Sequence, residues 1–265
     1  MSLLPREHGA YGQISLPLLT AFIVLGPSTA GLLIAAATAA GFLAHEPAAV
    51  LLGLRGPRAK RELRPQALGW LGLWLAVATA TGIGGLVLLP PPARWSVAFP
   101  LVFALLLAAA TARRDDKSWQ AQVAAALAFS GAAVPVSMAA GASLETGLAV
   151  MIPFATLFVT STLAVRVVIL RVRGGGDPRS AAATRRAVVL VAAGAALALA
   201  AAAAASVLPP SILLAAAPGL LTSTVVALRP PSPTLLHRLG WTLVAVSVVT
   251  AAIVVLTTPA AHAGG

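Results

Sequence analysis

Hydrophobic residues occur in long blocks along this chain, separated by short polar or Gly- and Pro-rich stretches. Most blocks approach the ~20 apolar residues that cross a hydrocarbon core of ~30 Å, and they lack the two-residue alternation of strands. In lipid, backbone hydrogen bonds are satisfied only within helices or closed β-barrels. Since the blocks do not have the pattern of strands, they predict transmembrane helices. The predicted spans are residues 10–25, 29–54, 68–89, 95–112, 119–140, 148–170, 187–207, 212–228 and 239–257.

Helix breakers separate these spans, as in the tight Gly26-Pro27-Ser28 turn and the Pro90-Pro91-Pro92 run. No loop is long enough for a separate soluble domain. The sequence therefore predicts an all-α fold, a polytopic transmembrane helical bundle of about nine spans, as a single integral membrane domain over residues 1–265. The short first turn leads us to expect the first two helices to pack as an antiparallel hairpin.

Composition and charge agree with a membrane protein and orient it. Hydrophobic residues make up 59% of the chain and charged residues 9%, and the mean hydropathy is +0.94. All of the 18 Lys and Arg residues except Arg94 and Arg166 fall at one side of the nine spans. The positive-inside rule then predicts a cell (inner) membrane protein with a cytoplasmic N-terminus and an external C-terminus.

The net charge of +11 does not indicate a nucleic-acid partner, because it is dispersed through short loops and the chain has a single Tyr. Membrane lipids with anionic head groups are the predicted partners. With no Cys, the chain has no thiolate nucleophile and no Cys-ligated metal. The sequence indicates neither a cofactor nor an oligomeric state.

The most informative polar residues inside a span are His45 and Glu46, near the cytoplasmic end of the second helix. Pro47 follows them and cannot bond the carbonyl of Leu43, so a free carbonyl, an imidazole and a carboxylate are expected close together. Such a group can hold a metal ion, a protonated amine or a transferable proton. The alternative is an interfacial pair satisfied by neighbouring helices.

Other polar residues are predicted on the same side of the membrane. Glu7 and His8 precede the first helix, and Thr162 and Arg166 share one face of the sixth. With His45 and Glu46 they form the candidate pocket, in which Arg166 either binds an anion or extends toward the cytoplasm. The two His residues and the carboxylates have no metal-site spacing signature, so a metal is left open.

Two basic clusters are candidates for binding phosphate or lipid head groups. They comprise Arg55, Arg58, Lys60 and Arg61 in the second loop, and Arg113 and Arg114 in the fourth. Both also serve as positive-inside anchors that need no ligand.

Three short motifs resemble the YwiC-like family of bacterial multi-pass membrane proteins. That family opens with Pro-Arg/Lys-x-His-Gly-Ala-aromatic, which here is residues 5–11 with Tyr11 as the aromatic. The similarity continues through His45-Glu46-Pro47 and through the Arg-Gly-Pro-Arg sequence of residues 55–58. It implies the membrane fold and no particular reaction.

A more distant resemblance is to the UbiA-type intramembrane prenyltransferases, which have nine helices and cytoplasm-facing active sites. Residues 113–129 look like the segment between their fourth and fifth helices. The two Asp-rich motifs that hold magnesium and prenyl diphosphate in that superfamily are missing. Their places are taken by His45-Glu46 and by residues 160–166, so the usual magnesium-dependent chemistry is not implied.

Two functions of different classes therefore stay open, with a purely structural or assembly role as the third alternative. In the first, a UbiA-like fold binds, and in one version modifies, a lipid or isoprenoid ligand in a cytoplasm-facing pocket. In the second, the protein is a small-molecule or proton-coupled transporter in which His45 and Glu46 relay a proton or bind substrate. Whether the protein is an enzyme is left undecided by the sequence.

Overall fold

A computed structural model describes residues 3, 8–115, 117–172 and 178–258. The regular elements in those ranges are helices, which confirms the all-α prediction. They are α1 His8–Leu25, α2 Thr29–Leu51, α3 Pro57–Leu88, α4 Ala98–Ala112, α5 Trp119–Gly131, α6 Ala133–Ala139, α7 Leu144–Val172, α8 Pro178–Ala204, α9 Ser211–Leu228 and α10 Leu236–Thr257, with 3-10 helices at Pro91–Val97 and Pro233–Leu235. With α5–α6 counted as one segment, 8 helical segments in the described ranges can cross a membrane by length and composition, and Gly9–Leu25 is a shorter apolar helix.

Helix α3 begins well before the predicted span. Gly56 precedes it with a φ of 94°, and Pro57 occupies its first turn, where no N–H is needed. Its 32 residues reach about 48 Å at ~1.5 Å per residue, which exceeds a ~30 Å hydrocarbon core. The exposed Arg58, Lys60 and Arg61 lie on this first part, so the helix extends past the membrane core at its charged end.

The α5–α6 segment and α7 form the centre of the bundle. In the most apolar window of each, 72% of the residues of the α5–α6 segment are buried and 61% of those of α7, against 6% in α3. The break at Ala132 between α5 and α6 has a covalent cause, because Pro135 has no N–H to bond the carbonyl of Gly131. Helices α3, α4 and α8 form the rim.

Helices α7 and α9 pack closely through small side chains. A Cβ on Gly219 would lie 2.8 Å from the Cβ of Leu157, and Thr160 donates a hydrogen bond of 3.0 Å to Ser223. Gly219 and Ser223 belong to a row of buried small residues that also contains Ala215 and Ala227. Rows of small residues four apart let helix backbones approach closely in lipid.

Helix α1 packs mainly against α10, α6, α5 and α7. The expected hairpin with α2 forms only in part: the Gly26–Ser28 turn is present, with Gly26 at a φ of 80°, but α1 and α2 make few backbone contacts. Helix α6 contacts both α1 and α2, and its position explains why the two do not pack along their length.

Most of the basic residues that the structure describes lie at one end of the bundle, which we call the basic end. It comprises the start of α1, the α2–α3 and α4–α5 loops, the end of α7, the start of α8 and the α9–α10 loop. The exception in the loops, Arg94, lies at the opposite end and donates to the carbonyls of Leu89 and Val87 at 3.2 and 3.1 Å. Arg94 therefore caps the C-terminal end of α3, where a cation is favourable.

Candidate functional site

The α2–α3 loop folds back toward α2 because two glycines adopt left-handed conformations. Gly53 has a φ of 80° and Gly56 a φ of 94°. The amides of Gly53 and Leu54 bond the carbonyls of Val50 and Ala49 at 3.0 and 2.9 Å, which is the Schellman pattern of a helix end. This turn brings Arg55 back alongside the last turns of α2.

Arg55 forms a two-pronged ion pair with Glu46. Its Nε donates to Oε1 of Glu46 at 2.8 Å, and its Nη2 donates to Oε2. The Glu46 side chain is 5% exposed and the Arg55 side chain 30%. The buried carboxylate is therefore neutralised from its own loop, and Arg55, predicted as a head-group ligand, has Glu46 as a partner.

His45 points in another direction from Glu46, since consecutive residues on a helix are about 100° apart. Its Nε2 lies 3.5 Å from Oγ1 of Thr111 on α4. Thr111 is buried and donates its proton to the carbonyl of Leu107 at 2.8 Å, so its oxygen faces His45 as an acceptor. The predicted convergence of imidazole and carboxylate is thus not observed: Glu46 binds Arg55, and His45 contacts α4.

Aromatic rings connect the start of α1 to α2 and α5. The rings of Tyr11 and Phe42 meet edge-on with centroids 5.1 Å apart, and those of Phe42 and Phe129 are 5.5 Å apart. Tyr11 is one turn after His8, and Phe42 is one turn before Glu46. The first turn of α1 therefore lies at the level of the Glu46–Arg55 pair.

On α7, Thr162 and Arg166 continue a row of residues spaced by four. The earlier members of the row, Phe154 and Phe158, are buried together with Ala126 of α5 and against Leu16 of α1. Arg166 lies about two turns beyond Phe158 toward the basic end of α7. It is partly buried, and within the described ranges no hydrogen bond or ion pair is found for it.

Arg166 and the start of α1 lie at a similar level along the bundle. Leu16 packs against the phenylalanine row, and two helical turns toward the basic end lead from Leu16 to His8 and from Phe158 to Arg166. Of the predicted pocket, the backbone of His8 and the residues Glu46, Thr162 and Arg166 all lie toward the basic end, where Glu46 is bound by Arg55. Glu7 lies outside the described residues, as does Asp116 in the α4–α5 loop.

The remaining basic candidates are exposed. Arg58 donates to Glu62 at 2.7 Å on the surface of α3, and Lys60 and Arg61 lie beside that pair. Arg113 and Arg114 end α4, where Arg114 has a φ of 62°. For a residue other than glycine this left-handed conformation is strained.

Two partnerships in this region had no local signal in the sequence. Thr111 is 66 residues from His45, and only the tertiary fold brings them together. The Glu46–Arg55 pair had a weak signal, namely a lone carboxylate inside a span that leads directly into a basic loop. Among the described residues, no three His, Asp or Glu side chains form a group that could hold a metal ion.

Comparison with known proteins agrees with the motifs and helices described above. A family model described as YwiC-like protein matches residues 4–138, slightly more than half of the chain. That range extends from the motif before α1 to α6 and includes His45, Glu46, Arg55 and Thr111. No curated protein and no solved structure matches the chain, and the UbiA resemblance stays a prediction. The chain belongs to the YwiC-like protein family and is a multi-pass integral membrane protein.

Proposed function

We propose that this protein binds the anionic head group of a membrane lipid or isoprenoid at its basic end, between α1, α2 and α7. The observation that carries the proposal is Arg166, a partly buried cation inside a span for which the described residues supply no counter-charge. An intramembrane Arg is costly, by ~2.5–3.5 kcal/mol at a helix centre, and usually marks a functional site. An anion bound there would remove that cost.

The charge balance of the region favours an anion. Glu46 is the one buried acidic residue among those that the structure describes, and Arg55 already neutralises it. Arg166 therefore has no acidic partner among the described residues. A cationic ligand would find no free carboxylate here among the described residues.

The surroundings of Arg166 favour an amphiphile over a free anion. Phe158 and Phe154 continue below it in the same row, beside Leu16. Both rings are themselves buried, so the hydrocarbon chain of an amphiphile whose phosphate binds Arg166 would lie in the lipid beside this apolar span. This pattern suits a phospholipid or an isoprenoid phosphate.

The proposal is tested by native mass spectrometry of the purified protein with added phosphatidylglycerol. We expect Arg166→Gln to weaken binding by about tenfold, which equals about 1.4 kcal/mol, and Arg166→Lys to have a smaller effect because it keeps the charge. Arg186→Gln is the matched control, since Arg186 is an exposed cation at the same end of the bundle. Phosphatidylcholine and inorganic phosphate are tested in parallel.

Equal binding to wild type and Arg166→Gln would contradict the proposal. Competition by inorganic phosphate as effective as that by the lipid would identify a free phosphate as the ligand, and lipid-dependent binding would identify a membrane ligand.

We further propose that the protein lies in the cell membrane and that its basic end faces the cytoplasm. Because the chain contains no Cys, single cysteines can report sidedness. Cysteines at Lys60, Asp116 or Asp177 should resist an impermeant thiol reagent in intact cells, whereas those at Glu145 or His262 should react. Labelling of a cysteine at Lys60 in intact cells would show that the basic end faces outward, opposite to the proposal.

Transport is the second candidate function, and one observation favours it. The hydroxyls of Ser137 on α6 and Thr250 on α10 are buried with no hydrogen-bond partner in the described part of the chain. Unsatisfied hydroxyls inside a bundle suit a path for water or a polar solute. Proteoliposomes that show solute or proton flux, lost in Ser137→Ala or Thr250→Val, would support transport over static binding.

A further inference from the structure

We propose a second lipid site, separate from Arg166, in a cleft between α3 and α4, whose occupant is an anionic phospholipid. Its polar end would comprise Arg113 and Arg114 beside the His45–Thr111 contact. The phospholipid chains would lie between the two rim helices. None of these residues belongs to α1 or α7, so this site does not depend on the proposed function.

The cleft follows from how two helix pairs meet. Helix α3 packs extensively on α2, whereas α4 packs on α5 and on the 3-10 helix Pro91–Val97. Helices α3 and α4 make at most marginal contact with each other. Two side-chain contacts join the pairs at the back of the cleft, Phe42 to Phe129 at 5.5 Å between ring centroids and His45 to Thr111 at 3.5 Å.

Both walls of the cleft are helices exposed to lipid. In the most apolar windows, 6% of the residues are buried in α3 and 11% in the segment Pro91–Ala112. Large apolar side chains such as Leu73 and Leu105 are about half exposed. Hydrocarbon chains are therefore the natural neighbours of both walls.

Cationic groups lie at the basic end of this cleft. Arg113 and Arg114 follow Thr111 almost immediately, are exposed, and have no ion pair within the described ranges. Asp115 and Lys117 come next in the loop, both exposed. With Asp116 between them, the sequence from Arg113 to Lys117 holds three basic and two acidic residues, a net charge of +1. The two arginines thus supply a net positive charge next to Thr111 and complement an anionic phosphate.

The backbone holds Arg114 in a conformation that favours glycine. Its φ is 62°, and the amides of Arg114 and Asp115 bond the carbonyls of Thr111 and Ala110 at 3.0 and 2.9 Å. Glycine is the usual residue at this point of a Schellman motif. An arginine at this point is strained, and it adds a guanidinium at the mouth of the cleft, next to Thr111.

A pair of tryptophans marks the head-group level on the opposite wall. The rings of Trp70 and Trp74 stack at 5.8 Å and 22°. The register of α3 on α2 gives their depth. A Cβ on Gly85 of α3 would lie 2.8 Å from Ile34 of α2, and one on Gly82 would lie 3.7 Å from Ala37. Continued along the two antiparallel helices, this register brings Trp74 opposite His45. Tryptophan is enriched at the membrane interface, so the two arginines, His45 and the tryptophans lie at a common depth.

The test uses Arg114→Gly, which removes the charge and relieves the strained backbone. We expect native mass spectra of the wild type to show two phosphatidylglycerol molecules per protomer, with the second lost or bound about tenfold more weakly in Arg114→Gly. The thermal midpoint of Arg114→Gly should rise, because glycine suits this φ. Arg113→Gln should weaken the second lipid in the same way, and Arg186→Gln should leave both.

The two sites fail separately in this experiment. Arg166→Gln should remove the first lipid and keep the second, and Arg114→Gly should do the reverse. A raised thermal midpoint in Arg114→Gly with both lipids still bound would overturn the α3–α4 site. The α3–α4 site would also be overturned if the wild type retained phosphatidylcholine as well as it retains phosphatidylglycerol, because the arginines would then not favour an anionic lipid.

Discussion

Replacing Arg55 with alanine should lower the free energy of unfolding by about 3 kcal/mol, the lower part of the range for breaking a buried ion pair. Glu46 is 5% exposed and its carboxylate is bound by two guanidinium nitrogens. Without Arg55 it must be buried uncompensated or take up a proton. The midpoint of thermal unfolding in a mild detergent measures the effect.

The exposed pair Arg58–Glu62 is a matched control, because it also joins an arginine to a glutamate. Its two residues are four apart on one helix, and their side chains are 85% and 55% exposed. Arg58→Ala should change stability by no more than about 0.5 kcal/mol. Removing both charges, as in Glu46→Leu with Arg55→Leu, should restore much of the loss. An Arg55→Ala protein as stable as Arg58→Ala would show that the pair is not a buried one.

Replacing Gly219 with alanine should destabilise the bundle by about 1–3 kcal/mol, the usual effect of overpacking a close contact. The added Cβ would lie 2.8 Å from the Cβ and 3.0 Å from the Cα of Leu157. The backbone of α7 would have to move, and the 3.0 Å hydrogen bond from Thr160 to Ser223, one turn along, would lengthen. Thermal unfolding and the detergent stability of the purified variant report the change.

Gly194 in α8 provides the comparison, since a Cβ at that position would have no neighbour within 4 Å. Gly194→Ala should leave the thermal midpoint unchanged or slightly raised, because alanine is the better helix former. If Gly219→Ala and Gly194→Ala behave alike, α7 and α9 are not packed as closely as described.

The fold could be predicted from the sequence because each span is a long apolar block that ends in a breaker. The ends of the helices were less predictable at charged segments. Hydropathy placed the start of the third span at residue 68, whereas Pro57 begins α3, since a helix continues into water for as long as its residues favour it. Hydropathy reports the membrane boundary, and the helix boundary depends on capping.

The candidate site was predictable by residue type and less so by grouping. His45 and Glu46 are adjacent in sequence, and a helix separates their directions by about 100°. Which neighbour each one faces depends on the placement of α4 and on two left-handed glycines in the loop that carries Arg55. The position of Arg166 near the end of its span follows from the sequence, whereas the packing of Phe154 and Phe158 against Leu16 depends on the tertiary fold.

The family match and the proposed ligand site cover different parts of the chain. The match ends at residue 138 and includes the Glu46–Arg55 pair, whereas Arg166 lies beyond it on α7. The proposal at Arg166 therefore depends on geometry and charge, and a direct map of the bound lipid is the appropriate test.

That map is obtained by photo-crosslinking the purified protein with an anionic phospholipid that carries a diazirine next to its phosphate. We expect crosslinked peptides from the start of α1 and from α7 around Thr162 and Arg166, with the α7 crosslinks lost in Arg166→Gln and kept in Arg186→Gln. Crosslinks confined to the surface of α8, or unchanged around Arg166 in the Arg166→Gln variant, would contradict an anion site between α1, α2 and α7.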